Sequence, residues 1–285
     1  MDRVLEGLGP DTAELEELLE TAFHAAAAGA AVLEKRDESE FDAVNKTSPG
    51  DWVTAFDVAA ENAVVDVLRA ERPWDAITGE ESGTHVPENR SPVRWSVDPL
   101  DGTTNFIRDI VYYATSVAAC DENGNWLVGV VHAPALGRIY YGVRGMGSWV
   151  RRDGKDKRLT GPEPGRKGAL YGTGFAYDPV IRREQFGNFL DTMDHYTDMR
   201  RLGAASLDLC MVADGTLDGY SERGLHEHDW AAGALIAEEA GAQVQRPDLP
   251  APTALRGPDQ DEQEYAENYE LVRSTTIIGA SARAS

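Results

Sequence analysis

An apolar run, Val93-Arg94-Trp95-Ser96-Val97, passes without a break into Asp98-Pro99-Leu100-Asp101-Gly102. The first five residues read as a buried strand. The next five place two carboxylates three residues apart around a Pro-containing turn. Carboxylates that share so small a space repel each other, and the arrangement is costly unless a cation sits between them. Hard divalent ions, Mg²⁺ above all, take such oxygen ligands together with water and phosphate oxygens. Gly102 lets the backbone turn closely, and Leu100 offers a carbonyl. Thr103 and Thr104 open a predicted helix whose first N–H groups suit a phosphate.

Two further segments set acids beside turn-forming residues: Gly79-Glu80-Glu81-Ser82-Gly83, and His228-Asp229-Trp230-Ala231-Ala232-Gly233 at a helix start. Each has an ordinary reading when taken alone. Asp98 and Asp101 suit a turn and a helix cap, Glu80 and Glu81 a solvated loop, and Asp229 a cap. Their joint occurrence in one chain is what points to a metal centre.

The rest of the chain supplies a frame for them. Periodicity predicts helices over 12–36 (with Asp11 as cap), 57–72, 179–195, 204–213 and 229–240. Strands are expected over 93–97, 115–119, 126–132, 138–143, 147–151, 169–173, 217–220 and 275–279, with a hairpin turn at 122–125. Residues 41–54 read as a loop, 152–167 as the passage to a second half, and 247–270 as a mobile Pro- and acid-rich excursion. Strands alternating with helices imply a layered α/β fold. The division is expected at 151/152. Residues 1–151 would carry most of the clustered acids, and residues 152–285 would carry Asp229.

Charge excludes some functions. The 285 residues hold 49 Asp and Glu against 27 Lys and Arg, a formal net charge of −22. Such a surface repels nucleic-acid phosphates and anionic membranes. A small anionic substrate then needs local positive charge, which bound metal ions would supply. The apolar runs are too short to span a bilayer, the N-terminus lacks the order of a signal peptide, and a cytoplasmic location is expected. Cys120 and Cys210 lie in apolar segments and read as packed thiols. No Gly-rich nucleotide fingerprint, P-loop, Gly-x-Ser-x-Gly elbow or Cys-x-x-Cys is present.

Together these motifs resemble the inositol monophosphatase family of Mg²⁺-dependent, lithium-sensitive phosphomonoesterases. Gly79-Glu80-Glu81-Ser82 is similar to its G-E-E-S element. The run from Trp95 to Phe106 is similar to its W-x-x-D-P-[IL]-D-G-T-T-N-F signature, and Asp229 with Ala231-Ala232-Gly233 to its W-D-x-A-A-G element. Lesser matches run over 53–57, 172–178 and 207–213. The resemblance implies a layered α-β-α-β-α sugar-phosphatase fold and two or three Mg²⁺ per site. Glu80, Asp98 and the Leu100 carbonyl would hold one ion, and Asp98, Asp101 and Asp229 a second. A third, weaker ion would lie near Glu80. Thr103 and Glu80 would orient the attacking water, with Asp57 positioning Thr103. Gly102, Thr103 and Thr104 would contact the phosphate, and Ala205 and Glu222 the sugar or inositol. The resemblance also implies that 1–151 carries most metal ligands, that 152–285 adds Asp229 and a leaving-group pocket to form one catalytic unit, and that the protein is a homodimer.

Inositol 1-phosphate is the default substrate. Fructose 1,6-bisphosphate, histidinol phosphate, a 3′-phosphoadenosine nucleotide, a specialised-metabolism intermediate, or a non-catalytic binding role are the alternatives. The chain departs from the pattern at His228, where the family has Trp, at Phe56, and at Gly203-Ala204-Ala205-Ser206. These changes are expected near the substrate mouth. The run His226-Glu227-His228-Asp229 suggests either a zinc site or, the favoured reading, two histidines at the rim or in packing.

Overall fold

The structure is a computed structural model that describes residues 12–36, 44–45, 52–176, 179–246 and 277–281. In chain order the elements are α1 (Thr12–Leu33), β1 (Val44–Asn45), β2 (Trp52–Val53), α2 (Ala55–Glu71), β3 (Ala76–Gly79), β4 (Gly83–His85), β5 (Arg94–Asp101) and α3 (Thr103–Ile107). Next come β6 (Ala114–Cys120), β7 (Trp126–Ala133), β8 (Arg138–Val143), β9 (Gly147–Arg152), β10 (Lys155–Arg158) and β11 (Leu170–Thr173). The chain continues with α4 (Pro179–Met193), β12 (Asp198–Arg200), α5 (Ala205–Ala213), β13 (Gly219–Arg223), α6 (Glu227–Glu239), β14 (Gln243–Gln245) and β15 (Ile277–Ser281).

Two sheets dominate. One has eight strands in the order β10-β9-β8-β7-β6-β5-β3-β4, the other five in the order β12-β11-β13-β15-β14. The large sheet is antiparallel except where β3 runs parallel to β5. In the small sheet β11 runs parallel to both β12 and β13. Helices α1 and α2 cover one face of the large sheet, and their shared core includes Leu18, Ala22, Val64, Leu68, Trp95 and Val117. Helices α5 and α6 fill the space between the sheets. On β11, Leu170 faces that core while Tyr171 turns outward onto Tyr196, just beyond α4. The order of layers is therefore α, β, α, β, α.

Small residues explain how closely α6 packs. A Cβ on Gly233 would lie 2.7 Å from the Ser206 carbonyl of α5, and one on Gly129 of β7 would lie 2.9 Å from Ala232 Cα. The Ala231-Ala232-Gly233 run thus lets α6 approach both neighbours, which fixes where its first turn lies. A buried ion pair adds to this. Both terminal guanidinium nitrogens of Arg94 on β5 reach the Glu227 carboxylate, at 2.5 and 3.0 Å.

Several elements differ from expectation. Helix α2 begins at Ala55, not 57, because Thr54 caps it: the Thr54 Oγ1 accepts from the Phe56 and Asp57 N–H groups, and Asp57 closes a capping box. The loop expected over 41–54 contains the two-stranded β1-β2 ladder. Strand β10 occupies part of 152–167 and pairs with β9 at the edge of the large sheet. Strands β3, β4, β12 and β14 have no counterpart in the sequence reading. Strand β5 does not stop at Val97 but runs through Asp101. Asp11 and residues 247–270 fall outside the described residues.

Candidate functional site

The site is built on the C-terminal end of β5. All eight residues of this strand are buried, since β3 and β6 flank it and helices cover both faces. Its register on β6 shifts between Asp98, opposite Ser116, and Asp101, opposite Ala114. Three steps on β5 therefore match two on β6. This is a bulge of the kind that re-aims side chains beside functional sites. Pro99 suits it by donating nothing to the ladder, and Thr115 Oγ1 donates to the Pro99 carbonyl at 2.9 Å. The Leu100 N–H donates to Asp98 Oδ1 at 3.0 Å.

Gly102 follows with φ 94° and caps α3. This left-handed conformation suits glycine, and a Cβ there would also lie 3.0 Å from the Tyr112 carbonyl. Thr103 is the first residue of α3. Its Oγ1 lies 3.1 Å from both Asp57 Oδ1 and the Leu100 carbonyl, so its one proton points at these two acceptors. The lone pairs of Thr103 are left to receive a proton donor from the open side. Asp57 is held in turn by the Thr54 N–H at 2.7 Å and the Thr54 hydroxyl at 2.6 Å. Asn105, from the same signature, is structural: its amide donates to the Tyr112 and Leu202 carbonyls, both at 2.8 Å.

The second half of the chain meets this strand end. Asp101 Oδ1 accepts from the Ala205 N–H at 3.1 Å, and Oδ2 from the Ser206 N–H at 2.8 Å and the Ser206 hydroxyl at 2.5 Å. The start of α5 is thereby pinned to β5. At the start of α6, Asp229 is the third helical residue rather than the cap, and its Oδ2 accepts from the His226 N–H at 2.6 Å.

Glu80, Asp98 and His228 each place one ligand atom within 4.8 Å of the others. Among the described residues this is the one such group of three. Asp101 and Asp229 flank it. Burial, then the charges of Glu80, Asp101 and Asp229, push the Asp98 carboxyl well above the ordinary carboxylate range. Burial raises Asp101 to about 7 against the pull of its Ser206 hydrogen bonds, and raises Asp229 to about 6. Burial also raises Asp57. Acids crowded enough to resist ionisation are what a cation would relieve. The donors are hard oxygens plus one imidazole, so the residues present fit a divalent ion.

Glu222 lies beyond this group. Its Oε2 accepts from the Tyr220 hydroxyl at 2.7 Å, and its carboxylate fills the space where a side chain on Gly174 would stand. Burial raises it to about 7, with the Arg201 charge pulling the other way. Asp208 sits behind, bonded to the Tyr112 hydroxyl at 2.8 Å.

One sequence reading needs correction and another is incomplete. Phe56 is not at a substrate mouth. It is buried, with its ring edge-on to Phe106 at 5.3 Å. His228 packs on His226, as one half of the rim-or-packing reading has it, but it also brings a ring nitrogen within 4.8 Å of Glu80 and Asp98 oxygens, which that reading did not foresee. The sequence reading also missed Glu61. Only 2% exposed, it accepts the Glu81 N–H at 2.8 Å and the Ser82 N–H at 2.6 Å, and so shapes the turn that carries Glu80. Its signal was present: Glu61 falls on the apolar stripe of α2, four residues after Asp57.

Clustered acids from three segments, Asp98 and Asp101 buried and Glu80 and Asp229 part-exposed, meet where two sheets and a central helix pair converge in a layered α/β fold. Comparison with known proteins gives the family. The inositol monophosphatase family model matches residues 14–276. An inositol-1-monophosphatase of Mycobacterium leprae is 41% identical over 216 residues, 74% of each chain. A Pasteurella multocida protein named Nus factor SuhB is 37% identical over 213 residues, 74% of this chain and 76% of the other. The solved structure of Mycobacterium tuberculosis SuhB superposes with a TM-score of 0.73 at 34% identity, covering 94% of this chain and 91% of that one. The chain belongs to the inositol monophosphatase family and is a phosphatase of the hydrolase class. No helix among its described residues is long and apolar enough to cross a membrane.

Proposed function

We propose that the protein is a Mg²⁺-dependent phosphomonoesterase that releases inorganic phosphate from a small polyol or sugar phosphate, inositol 1-phosphate first. The observation that carries this reading is the crowding of Glu80, Asp98, Asp101 and Asp229 around one buried strand end, where each raises the cost of ionising another. Glu80, Asp98 and the Leu100 carbonyl would hold one ion; Asp98, Asp101 and Asp229 would hold a second, and a third would bind weakly near Glu80. When bound, such ions activate water and neutralise charge on the departing oxygen. Inhibition by Li⁺ occupying the Asp101–Asp229 site is part of the same reading.

The chain's own groups do the rest. The backbone of Gly102, Thr103 and Thr104 at the start of α3 cradles the phosphate. Thr103 spends its proton on Asp57 and Leu100, so its oxygen accepts a hydrogen bond from the attacking water and fixes that water's direction. Glu80 takes the second hydrogen bond and so orients the water together with Thr103. Ala205 leaves room for a ring, and the Glu222 carboxylate accepts hydrogen bonds from its hydroxyls. The Asp101 bonds to Ala205 and Ser206 support reading 1–151 and 152–285 as two subdomains sharing one site. A cytoplasmic homodimer completes the proposal.

A second reading, a binding role without catalysis, draws on the Nus factor name of the Pasteurella relative. Phosphate release from inositol 1-phosphate and a panel of other esters, with and without Mg²⁺, decides between them. Release that needs the metal supports the enzyme; none on any ester leaves the binding role.

A further inference from the structure

His228 departs from the family pattern at the residue next to Asp229, and its position is a chemical feature in its own right. It is the second residue of α6, and its side chain is 13% exposed. Its ring stacks on that of His226, with centroids 5.3 Å apart and planes 12° from parallel, which holds the imidazole plane. Its Nε2 lies 3.7 Å from Asp229 Oδ1, and one of its ring nitrogens shares the 4.8 Å group with Glu80 and Asp98. Ligands about 2.1 Å from one ion stand at most about 4.2 Å apart. Three donors sharing one ion at that radius lie about 3–3.6 Å apart, so shifts of up to about an ångström each bring all three from 4.8 Å onto a single ion. A rim histidine would face solvent instead of three carboxylates.

We propose that a ring nitrogen of His228 is a ligand of the ion held by Glu80 and Asp98, making the centre a mixed nitrogen–oxygen site that still takes Mg²⁺ but holds Mn²⁺ more tightly than oxygens alone would. The inference rests on Glu80 and Asp98 being metal ligands. Mg²⁺ binds imidazole poorly, whereas Mn²⁺ and the ions beyond it in the series accept nitrogen with increasing preference. The α6 start delivers the nitrogen, and the Arg94–Glu227 pair beside it keeps that start in place.

Mn²⁺ alone, titrated into the purified full-length chain, is the probe. Pulsed electron paramagnetic resonance of the Mn²⁺-loaded protein should show ¹⁴N modulation from one imidazole. His228→Phe should abolish that modulation and weaken Mn²⁺ by about tenfold or more, with Mg²⁺ affinity held within about twofold. His226→Phe should keep the modulation. Mn²⁺ that binds the wild-type protein without nitrogen coupling overturns the proposal and leaves the carboxylate centre standing. Coupling that survives in His228→Phe overturns it as well. Failure of Mn²⁺ to bind at all would remove the metal centre itself.

Discussion

The Glu61 carboxylate lies directly against the Cα of Gly79: a Cβ on that glycine would meet the carboxyl carbon at 2.6 Å. The contact couples α2 to the turn that presents Glu80. Glu61 cannot move aside freely, because its oxygens receive the Glu81 and Ser82 N–H groups. Gly79→Ala should therefore push Glu61 off these donors and displace Glu80. Glu61→Gln keeps the shape but gives up one acceptor for a donor facing an N–H. Both variants should lower kcat by tenfold or more, as roughly 1–3 kcal/mol of unsatisfied hydrogen bonding is shed into the turn. Steady-state kinetics on folded protein checks this, and unchanged kcat in both would detach Glu61 from the site.

Asp98 is buried and faces the charges of Glu80, Asp101 and Asp229. Asp98→Asn should abolish phosphatase activity while the circular dichroism spectrum stays that of the wild type. Without metal, the variant should melt at the same temperature or higher, because one of the crowded charges is gone. Turnover near the wild-type level would rule out Asp98 as a ligand.

The raised carboxyls also set a pH dependence for the metal-free protein. Asp101 at about 7 and Asp229 at about 6 bind protons more tightly folded than unfolded. Their contribution to stability is full below the unfolded carboxylate value and is lost as pH rises through the folded values. The melting temperature of the metal-free protein should thus fall between about pH 4 and pH 7 through these groups. Saturating Mg²⁺ favours the charged forms and should reverse the trend, stabilising most at the upper end. Melting curves in EDTA and in Mg²⁺ across this range test it; an identical slope in both would dissociate the acids from metal binding.

The Arg94–Glu227 pair should matter to stability rather than chemistry. Arg94 is 1% exposed and lies over the Trp126 ring at 5.5 Å. Arg94→Met leaves Glu227 without its counter-charge in a mostly buried place, at a cost of about 3–5 kcal/mol. A double variant, Arg94→Met with Glu227→Leu, should recover much of the loss. Urea unfolding of the three proteins measures this, and a double variant no better than the single would mean the pair is not the cause.

What was legible in the sequence follows from chemistry that is local. Asp98, Asp101 and Thr103 announce themselves because two acids and a helix start crowd into six residues. The long helices and β6 to β9 are legible because their apolar periods are long. Strands such as Lys155–Arg158 and Asp198–Arg200 are short and charged, and only pairing with a neighbour makes them strands. The bulge in β5 is likewise invisible until β6 supplies the register. Glu61, Arg94 and Ser206 are ordinary polar residues in sequence, and each gains a role from a partner at least 20 residues away. His228 was legible as a departure, but the sequence could not choose between metal binding and packing, since its direction depends on where α6 begins.

The last prediction concerns Glu222, which stands apart from the metal ligands. Tyr220 and the bare Cα of Gly174 hold its carboxylate in one place, so it is organised before any substrate arrives. Such a group accepts hydrogen bonds from ring hydroxyls, each worth about 1.5–3 kcal/mol to a charged acceptor. Glu222→Gln should lower kcat/KM on inositol 1-phosphate by about tenfold or more. It should leave an aryl phosphate without hydroxyls within about twofold, because that leaving group has nothing to donate. Equal losses on both esters would mean the change has reached the metal centre. No loss on either would remove Glu222 from the leaving-group pocket. Gly174→Ala supplies an independent check: it displaces the carboxylate without altering its charge, and should reproduce the same selective loss.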